Sequence, residues 1–218
     1  MLDRRYINQL EIVINMFIVD KGKIKVLLFR RTEEPFKGYW MLPNNLLMTT
    51  ETIEECTNDT IKEYTTLENL YIEQCNVFSK VDRLPNDRII ANSIICLTNN
   101  KNVEHIKTDR QLEWFNIDEI PKMVYDYSDI LKDAIEKLKH RLMSDYSLLK
   151  YFYPGEFTLP ELQSVFEQAL NKELDRRNFR KKIINLGIVE DINIKNNVGN
   201  GRPAKLYAFK DELDNDNF

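Results

Sequence analysis

The chain has 218 residues, 43% hydrophobic and 30% charged, with 6 Gly and 7 Pro. At roughly 100–200 residues per domain this is one large domain or two small ones, and collagen-like, low-complexity and wholly disordered chains are excluded. A formal net charge of −4 gives no global attraction for polyanions. No apolar run approaches the roughly 18 residues of a membrane span, and Met1-Leu2-Asp3-Arg4-Arg5 leads into no signal-peptide core. The three cysteines, Cys56, Cys75 and Cys96, are odd in number and widely spaced. They imply neither a disulfide framework nor a zinc site, and a protein of the reducing cytoplasm is expected.

Leu10 to Val19 and Lys23 to Phe29 are apolar, β-branched runs joined at Asp20-Lys21-Gly22, which predicts a hairpin. A polar loop from Arg30-Arg31 reaches Pro35-Phe36-Lys37-Gly38-Tyr39-Trp40, followed by Met41-Leu42-Pro43 and Asn44-Asn45. Thr52 to Tyr64 has helical spacing in Ile53, Cys56, Thr60 or Ile61, and Tyr64. Leu70 to Val77, Arg88 to Leu97 and Glu113 to Ile117 are further strands. Ser128 to Leu142 is an amphipathic helix with Ile130, Leu131, Ala134, Ile135, Leu138 and Leu142 on one side. Strands, a helix, more strands and a closing helix predict an α+β sandwich over residues 1–147.

With these residues, the front part resembles the Nudix fold. Laid from Asn45, the family's box puts Glu51 at its first Glu, Asp59 to Tyr64 across its Arg-Glu block and Thr66 at its final Gly. In that box, carboxylates one turn apart on a helix share a face and bind Mg²⁺, which neutralises a diphosphate and activates water. Here the face carries Thr60, Glu63 and Tyr64, so one carboxylate remains of the set, and Asp59 stands in place of the box Arg. The expectation is a retained fold without hydrolysis: no catalytic residues, no metal site, no cofactor. Glu51, Glu54 and Glu55 read as acidic residues near a helix start. His105 and His140 lie in no nucleophile pattern.

Residues 148–218 read as a winged helix-turn-helix. Thr158-Leu159-Pro160-Glu161 is a capping box preceded by Phe157 as a staple, and Leu162, Val165, Phe166, Ala169 and Leu170 line one helix face. A turn at Asn171-Lys172-Glu173 precedes a second helix, capped by Asp175 and ending before Gly187. Ile188 to Ile194 and Lys205 to Phe209 are strands around a Gly/Asn-rich connection, together about the size of a DNA-binding module. At about 100° per residue, Phe179, Ile183 and Leu186 face the core. Arg177, Arg180 and Lys181 point away from it, with Arg176 and Lys182 at the flanks and Asn178 among them. No acid follows Asp175 on this helix. Such a face suits a major groove, where Arg reads guanine edges and Lys neutralises phosphate, with Arg202 and Lys205 of the wing reaching the adjacent backbone. The C-terminal tail is acidic, with Asp211, Glu212, Asp214 and Asp216.

The whole chain, through Phe157 to Gln163, Arg177 to Lys182 and Gly201 to Tyr207, resembles the bacterial Nudix-related transcriptional regulators, which include ADP-ribose-sensing repressors of NAD synthesis and sugar-sensing relatives. The resemblance implies a homodimer on a palindromic double-stranded operator, with the Nudix-like domain sensing a small-molecule effector. It also implies that Arg83, Pro85 and Arg88 belong to one sensor stretch and Trp114 and Pro121 to another. Tyr125-Asp126-Tyr127 stands where relatives carry an aromatic, Asp and His. The candidate effector residues are Phe36, Trp40, Arg83, Arg88 and Asp126. Phe36 and Trp40 either stack a base or sugar or belong to the core; Arg83 and Arg88 either clamp a phosphate or are ordinary loop arginines. A nucleotide-sugar and a free sugar both remain open. The alternatives in other classes are a nucleoside-diphosphate hydrolase with an appended winged helix and a protein-interaction module.

Overall fold

The computed structural model describes residues 9–64, 70–85, 87–99, 111–196 and 204–210. Thr66, His105, Arg202 and the acidic tail, all read from the sequence above, lie outside them.

The front part is built on strand β1 (Gln9–Asp20), which hairpins into β2 (Lys23–Arg30) and is followed by the short β3 (Trp40–Met41) and β4 (Asn44–Leu46). Helix α1 (Ile53–Tyr64), strands β5 (Tyr71–Phe78), β6 (Ile89–Leu97) and β7 (Leu112–Asn116), and helix α2 (Tyr127–Ser144) complete it. The described strands form a mixed sheet in the order β3-β2-β1-β6-β5, with β4 against β1 and β7 against β2. β1 runs parallel to β6 from Gln9↔Ile89 to Phe17↔Leu97 and antiparallel to the other strands it pairs with.

Parallel pairing at the centre demands cover on both faces, which explains why Ile12 to Val19 is nearly continuous in apolar residues. The register places Glu11, Val13, Asn15 and Phe17 with Ala91, Ser93, Ile95 and Leu97 on one face. That face lies under α2, whose buried side comprises Tyr127, Ile130, Leu131, Ala134, Leu138 and Leu142. Ile12, Ile14 and Met16 turn the other way, towards α1. Asn15, the polar interruption of the run, is fully buried and donates to the Ser93 hydroxyl at 2.9 Å and the Ile94 carbonyl at 3.1 Å.

α1 starts at a reciprocal cap: the Glu55 carboxylate accepts from the Thr52 amide at 2.8 Å while the Thr52 hydroxyl accepts from the Glu55 amide at 3.2 Å. Glu51 likewise accepts from the Met48 amide. Glu51 and Glu55 are thus tied to the backbone at the helix start. On the inner face of α1, Cys56, Thr57, Thr60, Ile61 and Tyr64 are buried. Thr60 returns its hydroxyl to the Cys56 carbonyl, and Tyr64 stacks on Phe29 with ring centroids 5.9 Å apart.

The connection between the two parts is a packed segment. A 3-10 turn at Tyr146–Leu148 runs into α3 (Leu149–Phe152), and Leu148, Leu149 and Phe152 are buried. The module behind it has β8 (Phe157–Thr158), α4 (Leu159–Leu170), α5 (Arg176–Asn185), β9 (Val189–Asn196) and β10 (Ala204–Phe209), with a sheet in the order β8-β10-β9. β8 escapes sequence reading because Phe157 and Thr158 pair only with Tyr207 and Leu206 far along the chain. The capping box at Thr158 and Glu161 is present, and Asn171 ends α4 in the left-handed conformation. Leu186, expected in the core, is instead 42% exposed, because the helix closes there and the chain turns at Gly187.

Tyr64 is 1% exposed. Tyr64→Ala should therefore lower unfolding free energy by about 3–5 kcal/mol in denaturant titration; a loss under about 1 kcal/mol would contradict its place in the core.

Candidate nucleic-acid interface and sensor site

α5 is oriented by its own cap and by two inward side chains. Asp175 accepts from the Asn178 amide at 2.9 Å, and Phe179 and Ile183 are buried, Phe179 against Phe166 with ring centroids 5.5 Å apart. This leaves Arg176, Arg177, Asn178, Arg180, Lys181 and Lys182 exposed. Among the described residues none of the five cations is ion-paired; the Arg180 guanidinium only approaches the Tyr207 hydroxyl at 3.4 Å. On β10, the Lys205 ammonium is held by Asp191 at 2.6 Å, so its charge is already partly neutralised. An exposed, acid-free cationic helix face is the arrangement that neutralises phosphates and leaves guanidinium forks free for base edges. It extends over about two helical turns.

The sensor candidates fall into two adjoining groups. Phe36 meets Tyr39 edge-on at 5.9 Å and Tyr125 at 5.4 Å, while Trp40 meets Phe115 at 4.6 Å. Phe36 and Tyr125 both have left-handed backbones, at φ 69° and 49°. Bulky residues rarely adopt that conformation, and it concentrates at binding sites and switch regions. Phe36 remains 42% exposed.

One residue on, the chain enters a buried polar cluster. Arg83 donates from Nε and Nη2 to the two carboxylate oxygens of Asp126, each at 3.0 Å, and from Nη1 to Glu11 at 3.0 Å. The Tyr127 hydroxyl donates to the other Glu11 oxygen. Burial pushes the Glu11 carboxyl above its usual range against the opposing pull of Tyr127 and Arg83, and burial pushes Tyr127 well up. The Arg83 side chain is fully enclosed. The reading of Arg83 as a phosphate clamp is therefore corrected: its guanidinium is spent on two carboxylates, and Asp126 is its partner. Arg88 is exposed and donates to the Lys80 carbonyl at 2.9 Å, the same carbonyl that receives the Arg83 amide. Sequence reasoning missed Glu11 and Tyr127; an isolated Glu inside an apolar strand was the available signal.

Among the described residues no group of three or more His, Cys, Asp or Glu is placed to hold a metal ion. The positions that would carry box carboxylates are Thr60 and Tyr64, both in the core. Burial pushes the Cys56 and Cys75 thiols up to about 11 and Cys96 to about 12, so none is a ready nucleophile. Among the described residues no helix is long and apolar enough to cross a membrane.

An α+β sandwich followed by a winged helix whose second helix presents an exposed cationic face defines a DNA-binding transcriptional regulator. Residues 151–209 match the NrtR DNA-binding winged helix domain. The chain is 29% identical over 200 residues to the ADPR responsive transcriptional repressor NtrR of Acinetobacter baylyi, covering 89% of this chain and 79% of that protein. It is 31% identical over 116 residues to an ADP-ribose pyrophosphatase of Methanocaldococcus jannaschii, covering 53% and 68%. The crystal structure of Shewanella oneidensis NrtR complexed with a 27mer DNA superposes with a TM-score of 0.73 at 25% identity, over 92% of this chain and 93% of that one. The chain belongs to the Nudix-related transcriptional regulators.

Arg177→Ala or Arg180→Ala should weaken operator binding by about 1–3 kcal/mol and relax preference at one base pair per half-site. Lys182→Ala should weaken all sequences alike and flatten the salt dependence. Unchanged anisotropy titrations with intact circular dichroism would remove α5 from the interface. Arg83→Met leaves two buried carboxylates without their cation and should cost about 3–5 kcal/mol of stability in thermal or denaturant unfolding. A stable Arg83→Met protein that merely loses its effector would restore the clamp reading.

Proposed function

We propose that this chain is a repressor that binds a palindromic operator as a homodimer through residues 148–218, and that residues 1–147 sense a nucleotide-sugar of the ADP-ribose class without hydrolysing it. The observation that carries the DNA half is the exposed, unpaired cationic face of α5. Arg202 is assigned to the wing contact by position in the sequence, and Lys205 joins it by exchanging Asp191 for phosphate. A protein that reads chromosomal operators works in the cytoplasm.

For the sensor, Phe36 and Trp40 supply stacking faces and Arg88 an exposed guanidinium. The Arg83–Asp126 pair holds the Tyr125-Asp126-Tyr127 segment against the sheet. The Acinetobacter relative is named for its ADPR response, and the archaeal relative for cleavage of ADP-ribose. A shared ligand with divergent outcome fits a pocket that keeps recognition and has lost its metal. Thr60 and Tyr64 in the core are what separates binding from turnover here. A single Glu63 is a poor site for Mg²⁺, which dehydrates reluctantly.

Two measurements test this. ADP-ribose should raise the melting temperature, because a ligand selective for the folded form must stabilise it, and should shift operator affinity by the ratio of its affinities for the two states. With Mg²⁺ or Mn²⁺ the protein should release no AMP from ADP-ribose. Metal-dependent release abolished by Glu63→Gln would make it a hydrolase with an appended winged helix; binding without any change in operator affinity would deny the front domain a sensing role.

A further inference from the structure

One side chain of the winged-helix module bonds directly to the sheet of the front domain. Gln168 on α4 is 7% exposed, and all three of its side-chain hydrogen bonds cross to the front domain. Its Oε1 accepts from the Ile24 amide of β2 at 2.7 Å. Its Nε2 donates to Asn116 Oδ1 at the end of β7 and to Asp118 Oδ2 just beyond, each at 2.7 Å. A glutamine amide has two donors and an acceptor with two lone pairs, so this joint uses both donors. Beside it the β1–β2 turn presses onto the same helix. A Cβ at Gly22 would stand 3.0 Å from the Ser164 Cβ and 3.1 Å from the Glu161 carbonyl oxygen, and Gly22 has φ +72°. The turn approaches α4 as closely as only a glycine permits.

Away from this joint the contact is less filled. An open groove of about 270 Å³ lies where the end of α2 and the turn after it, at Met143 and Tyr146, face Phe166, Leu170, Phe179 and Ile183 of the module. The module is thus latched on one side and has space on the other, at the root of the helix that carries the DNA-reading cations. The latch also lies close to the proposed sensor: Phe115, packed on Trp40, directly precedes Asn116 on β7.

We propose that Gln168 is a positioning residue that sets the winged helix on the sensor sheet, and that effector occupancy reaches α5 through this joint. The second half rests on the effector reading above. A shift of the sheet end would lengthen the Gln168 contacts, and the open groove leaves the module room on its other side. In a dimer on a palindrome, the joint fixes the distance between two recognition helices, and hence the spacer between half-sites.

The test uses the full-length protein. Gln168→Met keeps length and removes all three hydrogen bonds. Gln168→Glu keeps the acceptor for Ile24 but sets a carboxylate against Asp118, and Gln168→Glu with Asp118→Asn returns a donor–acceptor pair. Operators with spacers lengthened or shortened by one or two base pairs are titrated with each protein, with and without ADP-ribose. ADP-ribose affinity is measured separately by calorimetry. Expected are an unchanged ADP-ribose affinity, loss of spacer preference in Gln168→Met and Gln168→Glu, and its return in the double variant. The effector ratio, about 5–150-fold for coupled sites, should fall to about twofold or less in the single variants. A folded Gln168→Met that keeps the parental spacer preference overturns the positioning role. Spacer preference lost with the full effector ratio retained overturns the transmission half. If ADP-ribose neither binds the parent nor changes its operator affinity, the effector reading fails, while the spacer titration still decides the role of Gln168.

Discussion

The front domain is organised around one fully enclosed guanidinium. Arg83 ties the start of β1, the turn before β6 and the start of α2 into a single cluster, through Glu11 and Asp126. A buried arginine with two carboxylates is no simple gain in stability, because the desolvation of three charges offsets much of their attraction. What it supplies is directional: the bidentate bonds to Asp126 fix where the Tyr125-Asp126-Tyr127 segment lies, and with it the aromatic group at Phe36. The net excess of one carboxylate is relieved by the Tyr127 hydroxyl on Glu11 and by a raised Glu11 pKa. A raised carboxyl pKa binds protons more tightly in the folded state. This group therefore favours the fold on the acid side, and its contribution is lost as the pH climbs through its folded value.

The same economy of charge shapes α1. On α1 the helix face that could gather carboxylates around a cation has been turned into core, with Tyr64 stacked on Phe29 and Thr60 bonded to its own backbone. A helix face with Thr60 and Tyr64 at these places does not have to hold several like charges close together. It gains buried area on α1, which sequence periodicity alone describes as modestly apolar.

Periodicity showed the sandwich well where burial is one- or two-sided and regular: β1, β2, α1, β6 and α2 lie within a residue or two of the expected bounds. The capping box at Thr158 and the acid-free run after Asp175 were legible because helix ends and charge are local properties. The short strands β3 and β8 were not, since two residues carry no period and exist only by pairing with distant chain. Arg83 misleads for a similar reason. A sequence shows a charge, and only the fold shows that Glu11, 72 residues away, neutralises it. Gln168 is the extreme case: a polar residue in an amphipathic helix reads as solvent-facing until the partner sheet is in place.

The electrostatics set how such a regulator must work. With a net charge of −4 the chain as a whole does not draw DNA from afar. At physiological salt, charges further off than about 8 Å are largely screened, so the α5 cations proposed to meet DNA would act only once nearly in the groove. Affinity for an operator then rests on two such helices engaging together, each converting the other's binding into an intramolecular step. An arrangement of this kind is sensitive to geometry out of proportion to the movement involved. A small change at the joint between sheet and module does not weaken either half-site contact, yet it removes the benefit of making both at once.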